Sequence, residues 1–197
     1  MVKAVVLDMD GVIRHLDLDV AEKASQSRGF NFDELMDILW ENDYAHELLC
    51  GRSNREEWWA NVQTLDTRLE GVPQDFVWNE VLSENYIDND IIDFVREHRI
   101  DLVTGILTNC SKESKSIILE TLGDDHPFEY VMSSSDFGFK KPQLEVYRKM
   151  LETIGVRAEE CIFFDDRITN VEAARKIAIN AHLFEGVEQL KKLVIPT

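Results

Sequence analysis

Short apolar runs rich in β-branched residues recur along the chain, and apolar positions repeat at helical spacing between them. Lys3 to Leu7, Leu102 to Thr108, Tyr130 to Ser133, Cys161 to Phe164 and Ala178 to Phe184 read as buried strands. The stripe Ile91, Phe94, Val95 and His98 predicts a helix before the second of these runs, and Lys112 to Leu122 predicts one after it. Tyr147, Met150, Leu151 and Ile154 predict another, opened by Pro142 and stopped by Gly155. Thr169 and Glu172 have the spacing of a capping box. Strand and helix in alternation imply an α/β fold, a doubly wound parallel sheet with right-handed crossovers.

The alternation is broken once. After the first strand comes a helix-like stretch too long for an ordinary connection. Its extent predicts a small all-helical cap over residues 15–84, inserted into an α/β core made of residues 1–14 and 85–197. Trp40, Trp58, Trp59 and Trp78 all fall in the insertion. At least two of them are expected to build its core, the alternative being an apolar lid over a leaving group. Leu49 to Arg55 reads as a turn between cap helices. Arg52 and Arg55 within it are read as solvated charges, with contact to a second anionic group of a substrate as the alternative.

The length of 197 residues suits one compact domain or a core with a modest insertion. A formal charge of −17 argues against nucleic acid or an anionic membrane as partner, because binding to polyanions depends on Lys and Arg. No apolar run is long enough to span a bilayer, and the first strand begins without a charged leader, so a cytoplasmic location is expected. Cys50, Cys110 and Cys161 are too scattered for a disulfide framework or a zinc pattern.

Candidate chemistry sits where the apolar runs end. The first run delivers Asp8-Met9-Asp10-Gly11, two carboxylates one residue apart. The second ends in Thr108-Asn109 ahead of a helix start, where free N–H groups and the helix dipole favour an anion. Lys141-Pro142 places a cation before the next helix. Cys161 to Phe164 runs into Asp165-Asp166, adjacent carboxylates that repel unless a cation or donor compensates them. Mg²⁺ suits such a pair, being a hard ion that takes carboxylate and phosphate oxygens.

In order and spacing, Asp8-Met-Asp10-Gly-Val, Leu107-Thr108-Asn109, Lys141-Pro142 and Phe164-Asp165-Asp166 resemble the motifs of the haloacid dehalogenase superfamily. The likeness is to its phosphatase branch with a helical cap after the first motif, and it covers nearly the whole chain. It implies a Rossmann-like core and a Mg²⁺-dependent phosphatase acting on a small phosphomonoester, a sugar phosphate or similar metabolite. Asp8 would attack phosphorus and carry an aspartyl-phosphate. Asp10 would protonate the leaving oxygen and later activate water, so its surroundings should disfavour charge. Thr108 and Asn109 would hold the phosphoryl group, and Lys141 would offset charge. Mg²⁺ would be held by the Asp8 carboxylate, the Asp10 main-chain carbonyl and Asp166, with Asp165 a ligand or a water-mediated partner.

A phosphosugar mutase is the alternative within the same chemistry, although no clear sugar-phosphate signature is present. A phospho-acceptor receiver domain also clusters Asp, Thr and Lys-Pro on an α/β sheet, but there the acidic pair comes first. A non-catalytic phosphate-binding protein is disfavoured because every chemical role has an occupant. Dehalogenation is disfavoured by Asp10, since a halide leaves without protonation.

Overall fold

The computed structural model describes residues 2–194. β1 (Ala4–Leu7) is followed by β2 (Arg14–Leu16), then by α1 (Leu18–Gln26), α2 (Phe32–Trp40), α3 (Asp43–Leu49) and α4 (Arg55–Val62). A 3₁₀ turn at Thr67–Leu69 and a π-helical turn at Val77–Val81 lead to β3 (Asn85–Ile87). Alternation then resumes with α5 (Asn89–His98), β4 (Val103–Thr108), α6 (Lys112–Leu122), β5 (Tyr130–Ser133), α7 (Ser134–Phe137) and α8 (Leu144–Ile154). β6 (Cys161–Asp165), α9 (Ile168–Arg175), β7 (Asn180–Leu183) and α10 (Val187–Val194) complete it.

β5, β4, β1, β6 and β7 lie in that order in one five-stranded sheet whose paired neighbours are all parallel. β1 is central, and its unbroken apolar sequence follows from burial on both faces. Side chains alternate across a strand, so Val5 and Leu7 pack with α5, α6 and α10, while Ala4 and Val6 pack with α8 and α9. Leu7 pairs with Ile106 on one side and Phe164 on the other. Asp8 therefore leaves the sheet level with the ends of β4 and β6. Strand order reverses about β1, and such a switch point is where open α/β sheets bind ligands.

The helices between β2 and β3 share a separate apolar cluster that includes Leu35, Leu39, Leu48, Trp58, Val62 and Phe76. Their starts follow a simple chemical rule. Asp17, Asn31, Asn42 and Asn54 stand at the N-caps of α1 to α4 with side chains accepting backbone N–H groups. Trp40 stacks on Trp58 at 5.0 Å, Trp58 is fully buried, and Trp59 donates to the Val72 carbonyl. These indoles thus serve the interior of the helical segment.

The structure departs from the sequence reading in three places. Pro142 does not open α8, which begins at Leu144 with Gln143 as cap. Residues 140–143 are held in a turn instead: Gln143 accepts from the Lys140 N–H, and Asn109 brackets the Lys141 backbone. Thr169 and Glu172 form no capping box, because α9 begins at Ile168 with Arg167 as cap. The antiparallel pairing of β2 with β3, where the chain leaves the sheet and returns, carries no apolar alternation that a sequence would display.

Candidate active site

The carboxyl ends of β4, β1 and β6 bring Thr108, Asp8 and Asp165 side by side, and Lys141 enters from the turn before α8. All four are buried. Lys141 Nζ lies 2.8 Å from Asp8 Oδ1 and 2.7 Å from Asp165 Oδ2. Its position rests on Asn109, whose amide donates to the Lys141 carbonyl at 2.9 Å and accepts from the Lys141 N–H at 2.8 Å. Asn109 thereby locks the lysine-bearing turn onto the end of β4.

Asp8 Oδ1 also accepts the Met9 N–H at 2.7 Å. Two donors on one oxygen fix the rotation of the carboxylate and leave Oδ2 free. Asp165 is engaged more fully: besides Lys141, its Oδ1 accepts from the Arg167 N–H and from Asn170 Nδ2, each at 2.9 Å. Asp166 lies against the turn after β1. Gly11 there has φ +79°, and a Cβ at that position would collide with the Asp166 carboxylate. Only glycine meets both demands.

Asp8, Asp165 and Asp166 each offer an oxygen within 4.8 Å of the others. Burial pushes Asp8 well above the usual carboxylate range; Lys141 opposes this and Asp165 adds to it. Asp166 is likewise raised by burial and by Asp165. Burial acts to lower Lys141, but Asp8 and Asp165 outweigh it and hold the ammonium charged. One lysine among three carboxylates, two of them buried and Asp166 exposed, leaves an excess of negative charge, the donor set and charge that suit a divalent, oxygen-seeking cation. Asp165, with three donors already on it, is the least available of the three.

Asp10 stands apart from these groups. Its side chain is 60% exposed and accepts a hydrogen bond from Arg14 Nε at 2.7 Å. The cause is local: the chain doubles back through Gly11, with the Gly11 N–H donating to the Arg14 carbonyl, so Arg14 returns beside Asp10. Arg14 and Asn170 are the two residues whose contacts here the sequence did not reveal. Nothing local signalled Arg14, since a four-residue offset pairs side chains on a helix and this segment is a turn, and Asn170 was hidden by the capping-box spacing around it.

Cys110, next to Asn109, is held as a thiol, with burial and then Asp10 pushing it up to about 12. His15, on β2, is half-buried and faces Tyr86 at 5.3 Å. The helical segment meets the sheet end close by: Ser134 Oγ donates to the Leu49 carbonyl at 2.6 Å, Arg52 to the Gly138 carbonyl, and Arg167 pairs with Glu41. Gly51, at φ +70°, makes the approach possible, since a Cβ there would lie 2.8 Å from the Ser135 carbonyl oxygen.

Curated relatives match the sequence over much of its length, and solved structures share the fold. A phosphatase of Mycobacterium tuberculosis is 24% identical, with 98% of this chain and 92% of that protein covered. A phosphorylated carbohydrates phosphatase of Thermotoga maritima is also 24% identical, covering 90% of this chain and 82% of its own length. A hydrolase of Schizosaccharomyces pombe is 28% identical over 65% of this chain, but the match spans only 61% of that protein. The crystal structure of a HAD family enzyme from Bacteroides thetaiotaomicron, in complex with magnesium and inorganic phosphate, shares the fold at TM-score 0.76. Its identity is 18%, with 96% of this chain and 99% of that chain covered. The haloacid dehalogenase-like hydrolase family model matches residues 2–177, and the chain, with its carboxylates gathered at the switch point of a parallel sheet, belongs to that family of hydrolases.

Proposed function

We propose that the protein is a Mg²⁺-dependent phosphatase of small phosphomonoesters, working through a covalent phosphoryl group on Asp8. The observation that carries this reading is the Asp8 carboxylate, buried at the end of the central strand with one oxygen pinned by Lys141 and Met9 and the other free. The names of the two phosphatase relatives point the same way, and the carbohydrate phosphatase suggests phosphorylated metabolites as the substrate class.

In this reading Asp8 Oδ2 attacks phosphorus as the bond to the leaving oxygen breaks, and Asp10 gives its proton to that oxygen. Asp10 then takes a proton from water, whose oxygen attacks phosphorus and releases phosphate and free Asp8. For both steps Asp10 turns away from Arg14 and in towards Asp8. Thr108 donates its hydroxyl to a phosphoryl oxygen, Asn109 keeps Lys141 in place, and Lys141 offsets the charge that builds up near Asp8. The metal would be held by the carboxylates of Asp8 and Asp166 with the main-chain carbonyl of Asp10, leaving Asp165 to anchor Lys141. When bound, Mg²⁺ neutralises the carboxylates and polarises the phosphoryl group. Residues 15–84 act as a cap whose closure excludes bulk water.

The test is phosphate release from a panel of small phosphomonoesters, with and without Mg²⁺, alongside Asp8→Asn. Metal-dependent release that falls by roughly 10³-fold or more in the variant is expected. Retention of most activity by a folded Asp8→Asn protein would remove the nucleophile assignment.

A further inference from the structure

Arg55 is a cation in an unusual position. The chain has 38 acidic residues against 21 basic ones, and Arg14, Arg52, Arg68, Arg96, Arg157 and Arg167 all pair with carboxylates. Arg55, like the exposed Arg28, Arg99 and Arg175, has no salt bridge among the described residues, but it is half-buried, and Glu113 and Asp75 act on it only from a distance. Its single side-chain hydrogen bond runs from Nη2 to Ser114 Oγ at 3.0 Å, and its Nε is buried without a partner. The guanidinium carbon lies over the Trp78 ring, 4.0 Å from its centroid. The cation–π contact occupies the ring side of the group, while Nε and the other N–H groups remain for an acceptor.

The place is equally informative. Ser114 lies in the first turn of α6, tied to the N-cap Ser111, which follows Asn109 and Cys110 directly. Cys110 stands close enough to Asp10, Arg14 and Arg55 to interact electrostatically with each. Arg55 comes from the helical segment, whereas the residues assigned to the phosphoryl group come from the sheet ends. Its bond to Ser114 sets it beside the first turn of α6, the turn that follows Thr108 and Asn109 at the end of β4. A half-buried guanidinium with N–H groups left unfilled is suited to a carboxylate or a phosphate.

We propose that Arg55 binds a second anionic group on the substrate, so that the preferred substrates are small phosphate esters bearing a carboxylate or another phosphate on the leaving-group side. This rests on the phosphatase reading above and narrows it.

The test compares matched esters: ethyl phosphate with phosphoglycolate, propyl phosphate with the phosphate ester of 3-hydroxypropionate, and each pair with the corresponding diol bisphosphate. With Mg²⁺ present, the wild-type protein is expected to favour the charged ester at one chain length by about tenfold or more in kcat/KM. That preference should collapse in Arg55→Gln and be partly kept in Arg55→Lys; a purely structural loss would lower both members of a pair together. The carboxylate and bisphosphate arms show which anion is taken. A wild-type preference near unity, or one that survives in Arg55→Gln, overturns the proposal. If no ester is hydrolysed, it is the phosphatase reading that fails. Calorimetric binding of the same pairs to Asp8→Asn and to Asp8→Asn with Arg55→Gln then decides the role of Arg55: tighter binding of the charged ester only where Arg55 is present supports it, and equal binding overturns it.

Discussion

Asp165 shows how much of a site can depend on a carboxylate that does not itself react. It is fully buried and takes Lys141, the Arg167 N–H and Asn170 as donors, so its charge is compensated and Lys141 is held at Asp8. A buried acceptor that loses a charge-assisted donor costs about 1–3 kcal/mol. Asn170→Ala should therefore lower the melting temperature by several degrees, at about 2–4 °C per kcal/mol for a chain of this size. Asn170→Asp, which sets a further carboxylate against Asp165, should be worse still in the absence of Mg²⁺. Melts of both variants that overlay the wild type would show that Asn170 is dispensable. Asp8, Lys141 and Asp166 were candidates from residue type and order, and the structure gathers them with Asp165 at the sheet ends. The pairing of Asp10 with Arg14 was not legible, because it arises from a turn whose path depends on the positive φ of Gly11.

At the scale of elements, the helical segment is built by ordinary rules. Asp or Asn caps each of α1 to α4, and a shared apolar cluster centred on the indoles holds them. Trp58 is fully buried, stacks on Trp40 and donates to the Leu39 carbonyl. Trp58→Ala should cost about 3–5 kcal/mol through lost burial and the cavity left behind. Chemical denaturation followed by circular dichroism measures this, and a loss under about 1 kcal/mol would mean that the cluster is not what holds the helices together. The strands of the sheet were legible because burial on both faces demands apolar runs, whereas β2 and β3 were not, since three exposed or half-buried residues each carry no pattern. The start of α8 was misplaced because proline is usually a helix opener, but here the turn around Lys141 is claimed first by Asn109.

For the whole molecule, charge is the governing quantity, with −17 overall and three carboxylates against one lysine gathered at the switch point. Burial raises Asp8 and Asp166 above their unfolded values, so the folded state binds protons there more readily than the unfolded state. Their contribution to stability is present at low pH and is lost as pH rises through the raised folded values. A divalent cation takes the deprotonated form and offsets that loss. Mg²⁺ should therefore raise the melting temperature more at about pH 8 than at about pH 5, where protons compete for the same oxygens. Equal shifts at both pH values, or a larger one at the lower, would contradict this, and Asp166→Asn should shrink the effect. The sequence by itself determined the α/β class, the order of the strands along the chain and the identity of the acidic groups, because apolar periodicity and residue chemistry are local properties. Only the tertiary structure decided that β1 lies at the centre, that Lys141 bridges Asp8 and Asp165, that Asp10 faces Arg14, and that Arg55 is left without a carboxylate. Each of these depends on which distant segments meet, and that is settled by the packing of the whole chain rather than by any stretch of it.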